Sequence, residues 1–301
     1  NRNPIAVTGQ LSLAGTANED GNVYGDNVIE GNQYNNIVGL RGDVDLDGLL
    51  GGSFPDSVDS KSYGAVNRLD VNSGTTLTIE PGTVVKFHPN TRLRCEGTLT
   101  AVGTTEERVV FTSWRDDTFG GDTNEDSTAS SAAPDDWENV ELYQSGSDGS
   151  HLSHAVIRFG AEYPADENLR LYNSDAQVDS SYITFAGGRG VGTYNSEALF
   201  YALELHDNQT GLHVQTSNGL VPQIHQSNIY NNTNYGVYNQ DPADTVDATL
   251  NYWGASTGPY HEDLNPTGQG NAVSDGVRFE PFLTSQHGPV LGDVSVNGSI
   301  T

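Results

Sequence analysis

The 301-residue chain contains no methionine, one cysteine and only two lysines. With the single Cys95 no internal disulfide can form, so we expect this side chain to pack as a small core residue. No run of about twenty apolar residues is present, which argues against a transmembrane helix. No leader segment with a charged start and an apolar centre is present either. These absences indicate a mature or excised fragment rather than a complete translation product.

Basic residues are scarce, which narrows the classes of partner. The chain has 13 Lys and Arg against 40 Asp and Glu, a formal net charge of −27. We therefore expect no nucleic-acid partner, because nucleic-acid binding requires basic residues that neutralise phosphates. An anionic membrane surface is disfavoured for the same reason. So many carboxylates repel one another unless cations lie among them, so the composition fits a cation-rich setting. A solvated acidic surface is the alternative.

Three stretches of the chain share one pattern: a short alternating strand, an Asn or Gly turn, and then a glycine followed by an apolar residue. They are residues 181–191, 202–212 and 227–237. The glycines that mark the pattern, Gly190, Gly211 and Gly236, lie 21 and 25 residues apart. A period of this size is typical of a solenoid, and short strands without helical periodicity favour β-coils. Each coil needs its neighbours to bury its apolar face.

Two further segments give the repeat a family resemblance. Residues 77–113 contain strands around a Pro-Gly turn, and residues 251–259 read Asn-Tyr-Trp-Gly-Ala-Ser-Thr-Gly-Pro. Both resemble the right-handed parallel β-helix repeat proteins of bacterial surfaces and secretomes, which share a fold with pectate lyases. The resemblance covers roughly Val66 to Phe282. It implies an all-β right-handed parallel β-helix and a secreted or cell-surface location. It does not choose between enzyme and non-enzyme, since the family contains both.

The predicted organisation has three parts. Residues 1–65 form an N-terminal extension or cap, residues 66–285 form the parallel β-helix, and residues 286–301 form a linker and the start of a second motif. In that motif Asp293, Ser295, Asn297 and Gly298 are the first, third, fifth and sixth positions of a segment that resembles a dockerin-type calcium loop. The resemblance implies a scaffold partner bound through a downstream module. An ordinary linker is the alternative.

An acidic stretch near the N-terminus is the first candidate calcium site. Asp43, Asp45 and Asp47 alternate and Gly48 is sixth, a spacing that folds hard oxygen ligands around one ion. The twelfth position is Phe54 instead of a carboxylate, so an ordinary EF-hand loop is not expected. The alternatives are a calcium site that distant groups complete and a solvated acidic turn.

A long polar insertion between two strands, residues 116–136, is the second candidate calcium site. Such an acidic loop needs something that orders it, and a calcium ion would replace carboxylate repulsion by shared coordination. The candidate ligands are Asp116, Asp117, Asp122, Asn124 and Asp126. We expect Trp137 to anchor the return of the chain to the core. A mobile loop is the alternative.

The outer wall of the predicted β-helix provides candidates for catalysis. Alternation along strands places the pairs Ile157/Phe159, Ile183/Phe185 and Leu203/Leu205 inside, and therefore Arg158, Thr184 and Glu204 outside in one row. His206 falls in the adjacent row. A lyase needs a base and a cation near a uronate carboxyl, and a hydrolase needs a carboxylate pair. The catalytic candidates are Arg158, Glu204 and His206, which Arg189, Asp207 and His213 could join. The alternative is that they are ordinary solvated side chains.

Turn and aromatic residues complete the prediction. Asn208, Asn231 and Asn232 are expected to stack at equivalent turns through their amides. Trp253 is expected to close the C-terminal end of the core. A carbohydrate platform could be formed by Tyr230, Tyr235 and Tyr238, although alternate residues must face inward.

The favoured function is a monomeric, non-catalytic extracellular module that is stabilised by calcium and binds polysaccharide or a cell-surface glycan. One alternative is a secreted polysaccharide-degrading enzyme, a calcium-assisted lyase of acidic sugars before a glycoside hydrolase. The chain has no Gly-His-Gly motif, and lysine is scarce. It also shows no paired Asp-Asp stretch like that of polygalacturonases and no Arg-Asp pairing typical of pectate lyases, which weighs against this alternative. A structural spacer is the remaining one.

Overall fold

The computed structural model describes residues 6–8, 38–44, 47–51 and 62–288. The protein is all-β, with 44% strand and ~1% helix, and its parallel sheets form a β-solenoid of about eight turns. The predicted fold class is therefore confirmed. The one helical element in the described ranges is a 3-10 turn, Ser145–Ser147, so no helix there is long or apolar enough to cross a membrane.

The strands are short, and most contain three to six residues. In chain order they are β1 (Ala6–Thr8), β2 (Val38–Val44), β3 (Gly48–Leu50), β4 (Ser62–Val71), β5 (Thr76–Ile79), β6 (Val84–Phe87), β7 (Leu93–Cys95), β8 (Thr98–Val102), β9 (Val109–Ser113), β10 (Val140–Tyr143), β11 (His151–Ser153), β12 (Ala155–Arg158), β13 (Glu167–Tyr172), β14 (Gln177–Asp179), β15 (Tyr182–Thr184), β16 (Arg189–Tyr194), β17 (Leu199–Tyr201), β18 (Glu204–His206), β19 (Thr210–Gln215), β20 (Gln223–His225), β21 (Asn228–Tyr230), β22 (Tyr235–Asn239), β23 (Val246–Asp247), β24 (Pro259–Tyr260), β25 (Gly270–Ala272) and β26 (Val277–Arg278).

Each regular coil contributes one strand to each of three faces, and all pairings between these strands are parallel. Face 1 contains β6, β9, β12, β15, β18 and β21. Face 2 contains β7, β10, β13, β16, β19 and β22. Face 3 contains β3, β5, β8, β11, β14, β17, β20, β23 and β26. The long strand β4 pairs with both β6 and β7 and so joins faces 1 and 2 near the N-terminal end of the described coils.

Inward side chains form continuous apolar rows. On face 1, Ile157, Ile183, Leu205 and Ile229 are register partners on successive coils, and each is fully buried. Burial of such a row requires a coil above and below, because a single coil leaves its apolar side chains in water. Cys95 lies in the same core, fully buried, as expected.

The register corrects part of the predicted inward set. Phe159 and Phe185 are corner residues that stack on one another with ring centroids 5.5 Å apart and do not join the main core. Ile183 therefore pairs with Leu205, two residues beyond Leu203, which is the partner that the predicted inward pairs imply. As a result Thr184 is next to His206, and Glu204 falls outside the row that was predicted for it. The error has a physical cause, because a corner residue interrupts the period-two alternation of a strand.

Single residues with left-handed backbone conformation form all three corners of the coil. Their φ values lie between 48° and 68°, a region that is uncommon for non-glycine residues. At the corner from face 3 to face 1 these residues are His154, Ser180, Ala202, Gln226 and Leu250. At the corner from face 1 to face 2 they are Phe159, Phe185, Asp207 and Asn231. At the corner from face 2 to face 3 they are Gln144, Asn173 and Asn195. The recurrence of this bend at the same place in successive coils keeps their strands stacked.

Buried amides support the corner between faces 1 and 2. Asn208 Nδ2 donates to Asn232 Oδ1 at 3.1 Å, and Asn232 Nδ2 donates to Asn271 Oδ1 at 2.9 Å. The prediction that Asn208 and Asn232 stack is confirmed. Asn231, which was expected in the same ladder, is exposed and is itself a corner residue.

Two tryptophans pack in the core, one after the insertion and one in the last coil. Trp137 is fully buried, stacks on Phe87 at 4.2 Å and donates from Nε1 to the Arg158 carbonyl oxygen at 3.0 Å. It therefore anchors the chain after the insertion, as predicted. Trp253 is fully buried in the core of the last coil, which agrees with its predicted place.

The termini are described only in part. Strand β2 pairs in parallel with β4, so solenoid pairing includes residues 38–44 of the segment predicted as an extension or cap. The dockerin-like motif at 292–301 lies outside the described residues. The cap role and the dockerin resemblance both stay predictions.

Substitution of the corner residue Ala202 tests whether the left-handed bends affect stability. We expect Ala202→Gly to leave the free energy of unfolding unchanged or raise it by up to about 1 kcal/mol, because the left-handed cost to alanine offsets the greater unfolded-state entropy of glycine. Ala198→Gly is the matched control, since Ala198 is a buried alanine without positive φ, and it should destabilise the fold. Urea unfolding measures both. Equal losses in the two variants would contradict the role given to the corners.

Candidate functional site

A groove with a volume of about 1510 Å³ lies on the outer surface of face 2, across β16, β19 and β22. One wall is formed by the corner segments that lead from face 1 into face 2, residues 161–166, 187–188 and 233–234. The other wall is formed by the turn that follows β22. The loop at 260–262 closes the C-terminal end. The groove therefore exists only because successive coils stack their corners in line.

Aromatic rings form a continuous line along face 2, which we call the aromatic stripe. Its members in order are Tyr143, Tyr172, Tyr194, His213, Tyr238 and Tyr235, with successive ring centroids 5.2, 6.1, 6.2, 5.5 and 5.1 Å apart. Tyr143, Tyr172 and Tyr194 are register partners on neighbouring strands, so each coil adds one ring. The last three members line the groove.

Arginines cover the N-terminal half of the aromatic stripe. The Arg94 guanidinium lies 3.8 Å from the centroid of the Tyr143 ring, and the Arg170 guanidinium lies 4.8 Å from that of Tyr194. Glu141 is the register partner of both arginines and lies between them. These cation–π and ionic contacts occupy the ring faces, so the groove half of the stripe is the half open to a ligand.

A buried carboxylate supports the groove wall. Arg189 donates to Glu167 Oε1 at 2.8 Å and to the Tyr194 hydroxyl at 3.0 Å, and that hydroxyl donates to the same Glu167 oxygen. Gly192 makes room for this network, because a Cβ there would lie 2.6 Å from Glu167 Cγ. Burial raises the pKa of the Glu167 carboxyl, and the hydrogen bonds from Tyr194 and Arg189 together with the charge of Arg170 oppose the rise. Glu167 is 1% exposed, so it positions Arg189 and Tyr194.

His213 lies on the groove floor between the rings of Tyr194 and Tyr238. Burial, together with the charge of Arg189, lowers the pKa of His213 to about 4, against opposing contributions from Gln240 and Asp241. The imidazole is therefore neutral at neutral pH. Its Nδ1 is buried and has no hydrogen-bond partner within the described chain.

The acidic insertion folds over face 1 and covers two cations. Arg158 donates from Nε and Nη2 to the two carboxylate oxygens of Asp116, at 2.8 and 2.7 Å, and Lys86 Nζ donates to the Gly121 carbonyl oxygen at 2.7 Å. Both cations are fully buried. Burial lowers the pKa of Lys86 to about 8, and the charges of Asp116 and Asp117 oppose the drop. Asp116, a predicted calcium ligand, thus neutralises Arg158.

Three of the other predicted ligands converge within the insertion. Carboxylate oxygens of Asp117, Asp122 and Asp126 all lie within 4.8 Å of one another. Burial raises the pKa of Asp117, and the charge of Asp122 raises it further. Asn124 Nδ2 donates to Asp126 Oδ2 at 3.0 Å, which places this predicted ligand beside the cluster.

The insertion also holds oxygen atoms without hydrogen-bond donors. Asp117 Oδ1, Thr123 Oγ1 and Asn124 Oδ1 are buried and make no hydrogen bond among the residues described. Unsatisfied buried oxygens and converging carboxylates are the donor set that a hard cation such as calcium takes. The residues present therefore fit a calcium ion.

The N-terminal calcium candidate is described only in part. Asp43 and Asp47 are exposed, and Asp47 Oδ1 accepts a hydrogen bond from the Thr76 amide at 2.7 Å. Asp43 is the register partner of Asp70. Asp45 lies outside the described residues. This ligand set stays a prediction.

The three catalytic candidates all lie on face 1 and are nearly inaccessible. Arg158 is fully buried beneath the insertion, while Glu204 is 7% and His206 4% exposed. His206 stacks on Tyr230 at 4.5 Å and bonds to Asp207 at 2.7 Å. Arg158 and His206 share one outward row, whereas Glu204 lies in the adjacent row. Their catalytic role stays a prediction.

The other predicted residues are divided between two faces. Arg189 and His213, expected to join the catalytic candidates, lie in the groove on face 2. Tyr235 and Tyr238 of the predicted platform also line this groove, whereas Tyr230 belongs to face 1.

Sequence reasoning missed Glu167 and the tyrosines of the N-terminal half of the stripe. A signal for the tyrosines exists, because each precedes the left-handed corner residue of its coil. The dipeptides are Tyr143-Gln144, Tyr172-Asn173 and Tyr194-Asn195, at spacings of 29 and 22 residues. An aromatic residue that repeats directly before a corner must occupy the same row on each coil.

Comparison with known proteins identified no relative of this chain. No protein-family model, no curated protein and no solved structure matches the chain. The pectate-lyase-like and dockerin-like resemblances are therefore predictions, while the β-solenoid stands on the structure itself.

The buried histidine generates a prediction for the pH dependence of stability. Because the pKa of His213 is about 4 in the folded protein and about 6.5 when unfolded, folding is not penalised above pH 6.5. As the pH falls from 6.5 towards 4, the unfolded state binds a proton that the folded state does not, and stability drops by roughly 3 kcal/mol at most.

His213→Gln cannot take up this proton. Its unfolding free energy, measured by urea titration from pH 8 to pH 4, should fall less steeply than that of the unmodified protein over the interval from 6.5 to 4. Parallel pH profiles for the two proteins would show that His213 is not held neutral by the fold.

Proposed function

We propose that this protein is a non-catalytic, calcium-stabilised extracellular β-solenoid module that binds a polysaccharide or cell-surface glycan in the groove of face 2. The observation that carries the proposal is the aromatic stripe, whose open half lines a concave surface. Aromatic rings with a few polar groups around them are a common composition for a ligand site.

The geometry of the stripe supports a linear ligand that lies along the solenoid axis. Neighbouring parallel strands are about 4.8 Å apart, so the groove, which crosses β16, β19 and β22, covers about 10 Å along the axis. A polymer laid across these strands would meet the rings of Tyr235 and Tyr238. Tyrosines combine a flat apolar face with a hydroxyl, which suits a sugar ring that has both apolar faces and hydroxyls.

The burial of the titratable groups favours binding over catalysis. Glu167, whose pKa is raised by burial, is 1% exposed and bonded to Arg189 and Tyr194. His213 is 5% exposed. A general acid or base must come within hydrogen-bond reach of the proton that it transfers. Glu167 and His213 are so deeply buried that a structural role in the groove suits them better than proton transfer.

One observation favours a second candidate, a polysaccharide lyase. Arg189 and His213 line the same groove, and the positive charge of Arg189 lowers the pKa of the His213 imidazole, which is neutral at neutral pH. A cation that neutralises a uronate carboxyl and a neutral base are two requirements of β-elimination. Incubation with uronate polymers and measurement of the ultraviolet absorbance of an unsaturated product separates this candidate from a binding module.

Substitution of Tyr238 tests the groove as the glycan site. Against a panel of polysaccharides in affinity electrophoresis, followed by calorimetry with the best ligand, Tyr238→Ala should weaken binding about tenfold, since truncating an aromatic anchor typically costs more than 1 kcal/mol. Tyr201→Ala is the matched control, because Tyr201 is an exposed tyrosine on face 3. Equal affinity of the two variants would place the glycan elsewhere, and no binding across the panel would favour the spacer.

The calcium part of the proposal rests on the insertion. Asp117, Asp122 and Asp126 would share one ion, with oxygens of Thr123 and Asn124 available beside them. A second ion at Asp43, Asp45 and Asp47 is the remaining predicted site. Calcium that binds only the native state raises stability by about 2.7 kcal/mol at a concentration 100 times its Kd.

Thermal melts with calcium and with a chelator test the ion. We expect calcium to raise the melting temperature of the unmodified protein by roughly 5 to 10 °C at saturating concentration. Asp122→Asn should abolish most of this shift and, in chelator, should melt no lower than the unmodified protein, because one repelling charge is gone. Asp263→Asn, an exposed aspartate outside the cluster, should keep the shift. A melt that calcium does not change would remove the ion from the proposal.

A further inference from the structure

Carboxylates surround the groove, and almost no cation opposes them. The acidic side chains along its walls are Asp135, Glu162, Asp166, Glu262 and Asp275. Among the described lining residues, Arg189 is the one lysine or arginine, and it is already bonded to Glu167. The groove itself therefore has a negative charge before any ligand enters.

The carboxylates at the N-terminal end of the groove act on one another. Burial raises the pKa of Asp135, and the charge of Asp166 raises it further. Asp135 lies against Gly187, at a place where any Cβ would collide with its carboxylate. A concave surface with low-dielectric walls concentrates such a field, in contrast to the same charges spread over a convex surface.

The groove floor offers the complementary half of a cation site. Tyr235 and Tyr238 form its aromatic part, and Tyr163 and Tyr260, which are 84% and 44% exposed, stand on its rim. Ring faces attract ammonium groups through their quadrupoles. His213, which is 5% exposed, lies on the same floor, and its buried Nδ1 makes no hydrogen bond among the described residues. Rings below and carboxylates beside are the surroundings that an alkylammonium group prefers.

We propose that the groove binds a glycan with protonated amino groups, a polymer of amino sugars with free ammonium groups, and rejects polyuronates. The inference rests on the proposed function of the groove and narrows its ligand. Ammonium groups on the chain meet the wall carboxylates while the sugar faces lie on Tyr235 and Tyr238. A uronate chain would bring its carboxylates to walls of like charge, which repel it.

Three oligosaccharides of equal length test the charge preference by isothermal calorimetry in chelator: a glucosamine oligomer, its fully N-acetylated form and a galacturonate oligomer. At low ionic strength the glucosamine oligomer should bind at least tenfold more tightly than the N-acetylated oligomer, and the galacturonate oligomer should not bind. High salt should reduce the glucosamine affinity strongly and the N-acetylated affinity little, because salt screens exposed charges.

A triple variant assigns the preference to the groove. Asp135→Asn with Asp166→Asn and Glu262→Gln removes three wall charges, and asparagine tolerates the left-handed backbone of the first two positions. This variant should bind the glucosamine and N-acetylated oligomers with affinities that differ less than threefold. The control, Glu106→Gln with Glu107→Gln, changes exposed charges between β8 and β9 and should keep the full preference.

The outcomes separate this inference from the proposed function. Equal affinity of the unmodified protein for the charged and acetylated oligomers, with loss of both in Tyr238→Ala, would overturn the ammonium preference and leave the glycan groove intact. Tighter binding of the galacturonate oligomer would overturn the preference in the same way. A preference that persists in the triple variant would also overturn it. Absence of all glycan binding would overturn both.

Discussion

The structure depends on one constraint: each coil buries its apolar side chains only against the coils above and below it. Ile157, Ile183, Leu205 and Ile229 form one unbroken row for this reason. The row stays in register because left-handed residues recur at the same corners of successive coils, and because amides such as Asn208 and Asn232 bond from coil to coil inside the corner. A shift of one residue would turn an apolar row towards water.

The same register that aligns the core also aligns the outer side chains, and this is the origin of both candidate sites. On face 1 it places Lys86, Thr112 and Arg158 in one outward row. On face 2 it places Tyr143, Tyr172 and Tyr194 in another. Rows of like chemistry arise from stacking, since any residue type that recurs at one position of the repeat is brought within about 5 Å of its copies.

The cationic row of face 1 is covered, whereas part of the aromatic row of face 2 is open. The cations of face 1 are enclosed by the acidic insertion, where Asp116 provides Arg158 with a bidentate partner, because a buried cation without one is strongly unfavourable. Asp117, Asp122 and Asp126 of the same insertion converge on one another. Within residues 62–288 no insertion covers the C-terminal half of the aromatic row of face 2, which forms the floor of an open groove.

Much of the fold was predictable from local pattern. The spacing of Gly190, Gly211 and Gly236 indicated the coils, and Cys95, Trp137 and Trp253 lie where their chemistry suggested. These inferences succeeded because strand alternation and repeat period act over a few residues. The sites were less predictable. The partnership of Arg158 with Asp116 and the separation of Tyr230 from Tyr235 and Tyr238 depend on which face each strand joins. That assignment follows from the corners, where one left-handed residue such as Phe185 breaks the alternation on which sequence reasoning relies.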